Sequence, residues 1–129
     1  MGSVLQSMCS CGFESKELSV GGGMMDFEEK CYVPYFCDHC EIVRRINIKT
    51  KNPNNISETG IRKDIKCSKC RRKVQYYGEI REYTFDTQND YVFDWKIDFE
   101  QSYFLQDKLY YCPKCKKLNL KFYSVACWD

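Results

Sequence analysis

The sequence predicts a mostly β chain, and three observations carry that expectation. Apolar and polar residues alternate over several short runs. The clearest is Tyr91, Phe93, Trp95, Ile97 and Phe99, with Val92, Asp94, Lys96 and Asp98 between them; a period of two places one set on one face of a strand. Helical spacing of apolar residues is scarce throughout. Close cysteine pairs separate the runs, at Cys9-Ser10-Cys11, Cys37-Asp38-His39-Cys40, Cys67-Ser68-Lys69-Cys70 and Cys112-Pro113-Lys114-Cys115.

In chain order, Gly12-Phe13 after the first pair suits a sharp turn. Glu17 to Val20 reads as a short strand stopped by Gly21-Gly22-Gly23. That glycine run is no phosphate cradle, because Met24-Met25 follows where Lys-Ser/Thr is required; a hairpin turn or a close backbone approach fits it. Met24 to Phe27 fits a helical turn or a loop. Tyr32 to Phe36 runs as a strand into Cys37, and Ile42 to Ile48 leaves Cys40 as the next. Residues 51–60, with Asn52-Pro53 and a closing Gly60, read as a linker or mobile loop. Val74 to Tyr77 leaves Cys70 as a strand that Gly78 ends. The forty-one residues between Cys70 and Cys112 are too many for a bare loop, so the insert 79–111 needs structure of its own. Tyr103 to Leu105 and Leu109 to Tyr111 lead into Cys112, and Leu118 to Val125 closes the chain as a strand.

Ten cysteines in 129 residues point to a cysteine framework, of disulfides or of metal. The start, Met1 to Cys9, has neither the basic head nor the apolar core of an export signal. Three C-x-x-C pairs then favour zinc in a reducing, cytoplasmic setting. A C-x-x-C turn delivers two thiolates from one knuckle, and two knuckles close one tetrahedral site. The expected ligands of two Zn2+ are therefore Cys9, Cys11, Cys37 and Cys40, and Cys67, Cys70, Cys112 and Cys115. Sequential pairing fits, but an interleaved arrangement, such as the Cys37 pair closing with the Cys67 pair, stays open. The C-x-C knuckle is tighter than usual, and His39 lies close enough to replace a cysteine.

The fold class is thus mostly β, with two tandem four-cysteine zinc-ribbon modules. Residues 1–50 form the first, and residues 61–129 the second with its insert. Modules this small bury too little surface to be safely stable without metal. Cys31 and Cys127 are left over, and small buried apolar residues is the plain reading of both.

Charge is distributed unevenly although the net charge is only +2. Residues 61–78 hold seven Lys and Arg against Asp64 alone, whereas residues 79–107 hold eight acidic residues against Arg81 and Lys96. Two lysine- and arginine-rich knuckles brought together would form a phosphate-binding surface from Arg62, Lys63, Lys66, Lys69, Arg71, Arg72, Lys73, Lys114, Lys116, Lys117 and Lys121, with Tyr76 and Tyr77 to stack on bases. Neutralisation of that tip by Glu79, Glu82, Asp86, Asp90, Asp94, Asp98 and Glu100 is the competing expectation.

Cys9-Ser10-Cys11-Gly12-Phe13, Val20 to Met24, Pro34 to Cys40, the two later knuckles and the closing Ala126-Cys127-Trp128-Asp129 together resemble a group of small bacterial zinc-ribbon proteins with no assigned activity. The resemblance covers nearly the whole chain. It implies paired-cysteine zinc sites at the positions above, and no reaction. Where a usual ribbon knuckle has glycine after its second cysteine, this chain has Glu41, Arg71 and Lys116, which puts those turns in question.

One histidine in the whole chain argues against hydrolytic zinc, which keeps an open position among histidines or carboxylates. The sequence therefore predicts a non-enzymatic binding module. Its partner is nucleic acid on the basic knuckles, or a protein docked on the aromatic and acidic insert. A redox or metal-transfer role for Cys31 or Cys127 is a third reading. No small-molecule substrate and no membrane span are indicated.

Overall fold

The computed structural model describes residues 2–22, 30–50, 54, 61–63, 65–82, 91–97 and 101–128, without the side chains of Cys127 and Trp128. Among them ten strands form and no α-helix. These are β1 (Gly2–Cys9), β2 (Leu18–Gly21), β3 (Tyr32–Cys37), β4 (Ile42–Asn47), β5 (Gln75–Tyr76), β6 (Glu79–Glu82), β7 (Tyr91–Lys96), β8 (Gln101–Gln106), β9 (Tyr110–Tyr111) and β10 (Leu118–Trp128). Gly23, Met24 to Phe27, most of the 51–60 linker, Phe99, and the carboxylates Asp86, Asp90, Asp98 and Glu100 lie outside the described residues.

One sheet has seven strands in the order β4-β3-β2-β1-β10-β9, with β5 added beside β3. The first and last strands lie side by side: β1 and β10 pair antiparallel from Gly2 opposite Trp128 to Cys9 opposite Leu120. The second sheet, β6-β8-β7, is made by the insert. Its central strand β8 is buried continuously from Ser102 to Leu105, as a strand covered on both faces must be.

Alternation places the core. Leu5, Val20, Val33, Leu120 and Phe122 from the large sheet pack in one cluster with Phe93, Ile97, Tyr103 and Leu105 from the insert. The stripe predicted on 91–99 is thus mainly internal: Phe93 and Ile97 are buried, and Tyr91 and Trp95 half-buried. The glycine run makes a close approach, but to an internal partner. Gly21 has φ 87°, and a Cβ there would come within 2.9 Å of the Trp95 ring. Gly78, also at φ 87°, lies under Tyr103, whose hydroxyl donates to the Tyr77 carbonyl.

Strands form at each of the places expected, 17–20, 32–36, 42–48, 74–77, 91–97, 103–105, 109–111 and 118–125, with somewhat different bounds; residues 98 and 99 of the run expected at 91–99 lie outside the described residues. Two others, β1 and β6, carry little sequence signal. In β1 the inward Leu5, Ser7 and Cys9 alternate with Gln6 and Met8, but serine and glutamine blur the contrast. Ser7 is held by the buried Ser15, whose Oγ accepts the Ser7 amide at 2.9 Å.

Candidate metal centres

Strand register decides which cysteines meet. Cys9 ends β1 beside the start of β10, so the first knuckle faces the Cys112–Cys115 turn that joins β9 to β10. Phe36 in β3 lies opposite Gln75 in β5, which brings Cys37 beside the chain leaving Cys70. Two quartets result among the described residues: Cys9, Cys11, Cys112 and Cys115, and Cys37, Cys40, Cys67 and Cys70. All eight expected cysteines fall in these quartets, but sequential pairing is corrected to a nested one. The outer pairs of the sequence close one site and the inner pairs the other.

Within the quartets the Sγ atoms of Cys9 and Cys115 are 3.6 Å apart, Cys11 and Cys112 3.9 Å, Cys37 and Cys70 3.5 Å, and Cys40 and Cys67 4.0 Å. A disulfide needs about 2.05 Å. Four thiolates about 2.3 Å from one tetrahedral ion stand about 3.8 Å from each other. The spacing is that of a metal quartet. His39 is exposed and stands outside it.

The knuckles share one backbone plan. The amide of Cys67 donates to the Arg72 carbonyl and that of Cys112 to Lys117, while the amides of Arg71 and Lys116 return to the carbonyls of Cys67 and Cys112. At Cys9 the loop is one residue shorter, with the Cys9 amide on Phe13 and the Gly12 amide on Cys9. Other amides point at sulfur: Cys11 to Cys9 Sγ at 3.5 Å, Cys40 to Cys37 Sγ at 3.4 Å, and Lys69 to Cys67 Sγ at 3.4 Å.

Each knuckle ends in a left-handed residue, Gly12 at φ 96°, Glu41 at 53°, Arg71 at 66° and Lys116 at 62°. The turn geometry of a glycine-ended knuckle is therefore kept where glycine is absent. For a residue with a Cβ this costs about 1–2 kcal/mol. Exposed Glu41 offers the cleanest test. Glu41→Gly should stabilise the metal-loaded protein by about 0.5–1 kcal/mol once glycine's entropy is set against the strain, read as a higher urea midpoint. A lower midpoint would mean that the side chain, and not the backbone, holds this turn.

Protonation chemistry also suits a cation. Burial pushes the Cys40 thiol up to about 12, and neighbouring thiols add to it. Burial does the same at Cys112, against the amides of Cys115 and Lys114. At Cys67 burial is outweighed by the amides of Cys70 and Lys69, which bring the thiol down to about 6. One thiolate of the Cys37–Cys70 quartet thus forms readily; four thiolates around one point need a positive charge among them.

Comparison with protein-family models, curated proteins and solved structures finds no match.

The two centres touch. Lys116, just after Cys115, donates to Asp38 Oδ1 at 2.6 Å and to the Asp38 carbonyl at 3.0 Å, inside the Cys37–Cys40 knuckle. Tyr111 Oη donates to the same carboxylate at 2.8 Å. These two hydrogen bonds hold the Asp38 carboxyl below its usual range, and Asp38 holds Lys116 above its own. Asp38 also lines a hollow with Arg72 and Lys73. The two basic knuckles were expected to meet by sharing a zinc; they belong to different quartets, and cations of both, Lys116 from one and Arg72 and Lys73 from the other, border Asp38.

Not every expected cation belongs there. Arg62 is half-buried, its guanidinium donating to the Asn47 carbonyl at 3.1 Å. Lys121 pairs with Asp107 of the insert at 3.4 Å. Lys63, Lys66, Lys69, Lys114 and Lys117 are exposed. Arg71, Arg72 and Lys73 are exposed and make no ion pair with a described residue. Of the carboxylates expected to neutralise the tip, Glu79 turns to Arg81 at 3.6 Å.

Cys31 is fully buried, and burial pushes its thiol up to about 12 against the pull of Lys49. Its amide is bound by Asn47 Oδ1 at 3.0 Å. It packs as a small apolar residue.

Proposed function

We propose that the quartets bind two Zn2+ as structural ions and that the chain is a non-catalytic module contacting nucleic-acid phosphates through its joined basic knuckles. The observation that carries the reading is the meeting at Asp38. Lys116 reaches across to it, while Arg72 and Lys73 line the hollow it borders. One surface thereby gathers cations from two knuckles far apart in sequence.

Zinc follows from the donor set, since all-thiolate tetrahedral sites suit a borderline-soft ion with no geometric demand of its own. Four thiolates leave no position for water or substrate, so the ions are staples. Thiols kept free for metal belong to a reducing compartment, in keeping with a cytoplasmic setting. The adaptor reading is weaker, because the stripe it relies on is largely spent on the core: Phe93 is 5% and Ile97 8% exposed.

Binding of the zinc-loaded chain to labelled nucleic acid at several salt concentrations tests this. The expected result is a linear fall of log affinity with log salt. A slope of about −3 to −5 corresponds to four or five neutralised phosphates. No binding at low salt would overturn the reading.

A further inference from the structure

We infer that the groove between β5 and β9 is the seat of single-stranded nucleic acid, taking bases between its apolar walls and phosphates on its rims. The inference rests on the nucleic-acid reading above and narrows it to a substrate form and a place. The groove has a volume of about 720 Å³, within the range of ordinary ligand clefts. Phe36 lines it together with Tyr76 on one wall and Tyr110 and Tyr111 on the other. Leu109 and Leu118 border it while 53% and 65% exposed, an apolar pair left in water at one spot.

The rings are fixed beforehand. Tyr110 Oη accepts the Gln106 amide at 3.0 Å, and Tyr111 Oη is tied to Asp38. Little ordering would remain when a base arrives.

Charge chooses the occupant. Lys73 lines one wall and Lys108 the other, and the groove continues past Asp38 and Lys73 into the hollow of Arg72. Asp38, the acidic residue that lines both, is already engaged by Lys116. An aromatic floor between cationic rims matches a polyanion with exposed π faces. Duplex bases, stacked inside, cannot offer those faces. An extended peptide would find the edges of β5 and β9, but no reason for the cations.

The test uses the full zinc-loaded chain with labelled oligothymidylate of about a dozen nucleotides and the matching duplex. Two variants accompany it: Lys108→Glu/Leu109→Ser/Leu118→Ser, whose side chains are exposed and should leave the fold intact, and Tyr110→Leu, which removes the π face together with the hydroxyl that accepts the Gln106 amide, so its metal content and thermal melt are read beside its binding. The expected result is single-strand binding about tenfold tighter than duplex, with each variant losing about tenfold on the single strand and little on the duplex. Equal binding of both forms, unmoved by either variant, would overturn the groove while leaving the phosphate-binding surface standing. So would a groove that takes an extended peptide and leaves the oligonucleotide untouched. No binding of either nucleic acid at low salt would remove both readings.

Discussion

Cys9→Ser/Cys112→Ser should lose one of two bound metal ions, whereas Cys9→Ser/Cys37→Ser should lose both. Sequential pairing predicts the reverse, so metal stoichiometry by native mass spectrometry separates the two. The nested assignment rests on the quartets themselves and on the register that builds them, Cys9 beside Leu120 and Phe36 beside Gln75. The stability effect should be large, since metal-binding energy in a small thiolate site is folding energy, on the order of 10 kcal/mol at neutral pH. Loss of the Cys9–Cys115 site should be the more damaging, because it staples β1 to the β9–β10 turn at the middle of the large sheet. Serine variants that unfold outright would release both ions and hide the pairing. The double variant Cys11→His/Cys115→His avoids this by keeping four donors at every site. Under nested pairing its Co2+ form has one S2N2 and one S4 centre; under sequential pairing it has two S3N centres. The visible d–d bands distinguish them.

How much of this was legible in the chain follows from the sequence distance of each interaction. Knuckles are local: three or four residues fix two thiols and the amides aimed at them, so all eight cysteines of the quartets could be named from spacing. Most strands are local too, since alternation in 32–36 or 91–97 is written in consecutive residues. Pairing is not local. Cys9 finds Cys115 because β1 lies along β10, a contact between the two ends of the chain whose register depends on every strand between them. Gly2, Ser3, Gln6 and Ser7 gave β1 too little apolar contrast to announce it, and Glu79 and Glu82 hid β6 in the same way. The residues after the knuckles show the opposite case. Glu41, Arg71 and Lys116 looked like departures from the knuckle pattern, yet the backbone takes the left-handed turn at all three. Hydrogen bonds that close the loop, such as Lys116 N to Cys112 O at 2.9 Å, outweigh a cost of about 1–2 kcal/mol per residue.

Arg71→Glu/Arg72→Glu/Lys73→Glu should lower nucleic-acid affinity by at least about tenfold at moderate salt and flatten the salt slope by roughly 2–3, as three phosphate contacts become repulsions. Fold and metal content should not change. All three side chains are exposed and make no ion pair with a described residue. Glutamate at 71 would adopt the turn that Glu41 adopts already. Lys16→Glu, exposed after the first knuckle, provides the comparison for a simple change in net charge, and should cost little. If both substitutions weakened binding in proportion to charge alone, the contact would be diffuse and no surface would be assigned. If neither did, the insert would be the place to look, and the exposed cations around Asp38 would serve solubility alone. A loss confined to the triple variant would place the phosphates on the Cys67–Cys70 knuckle. The cross-link from Lys116 to Asp38 would then matter for function, since it brings the Cys112–Cys115 lysines to that same surface.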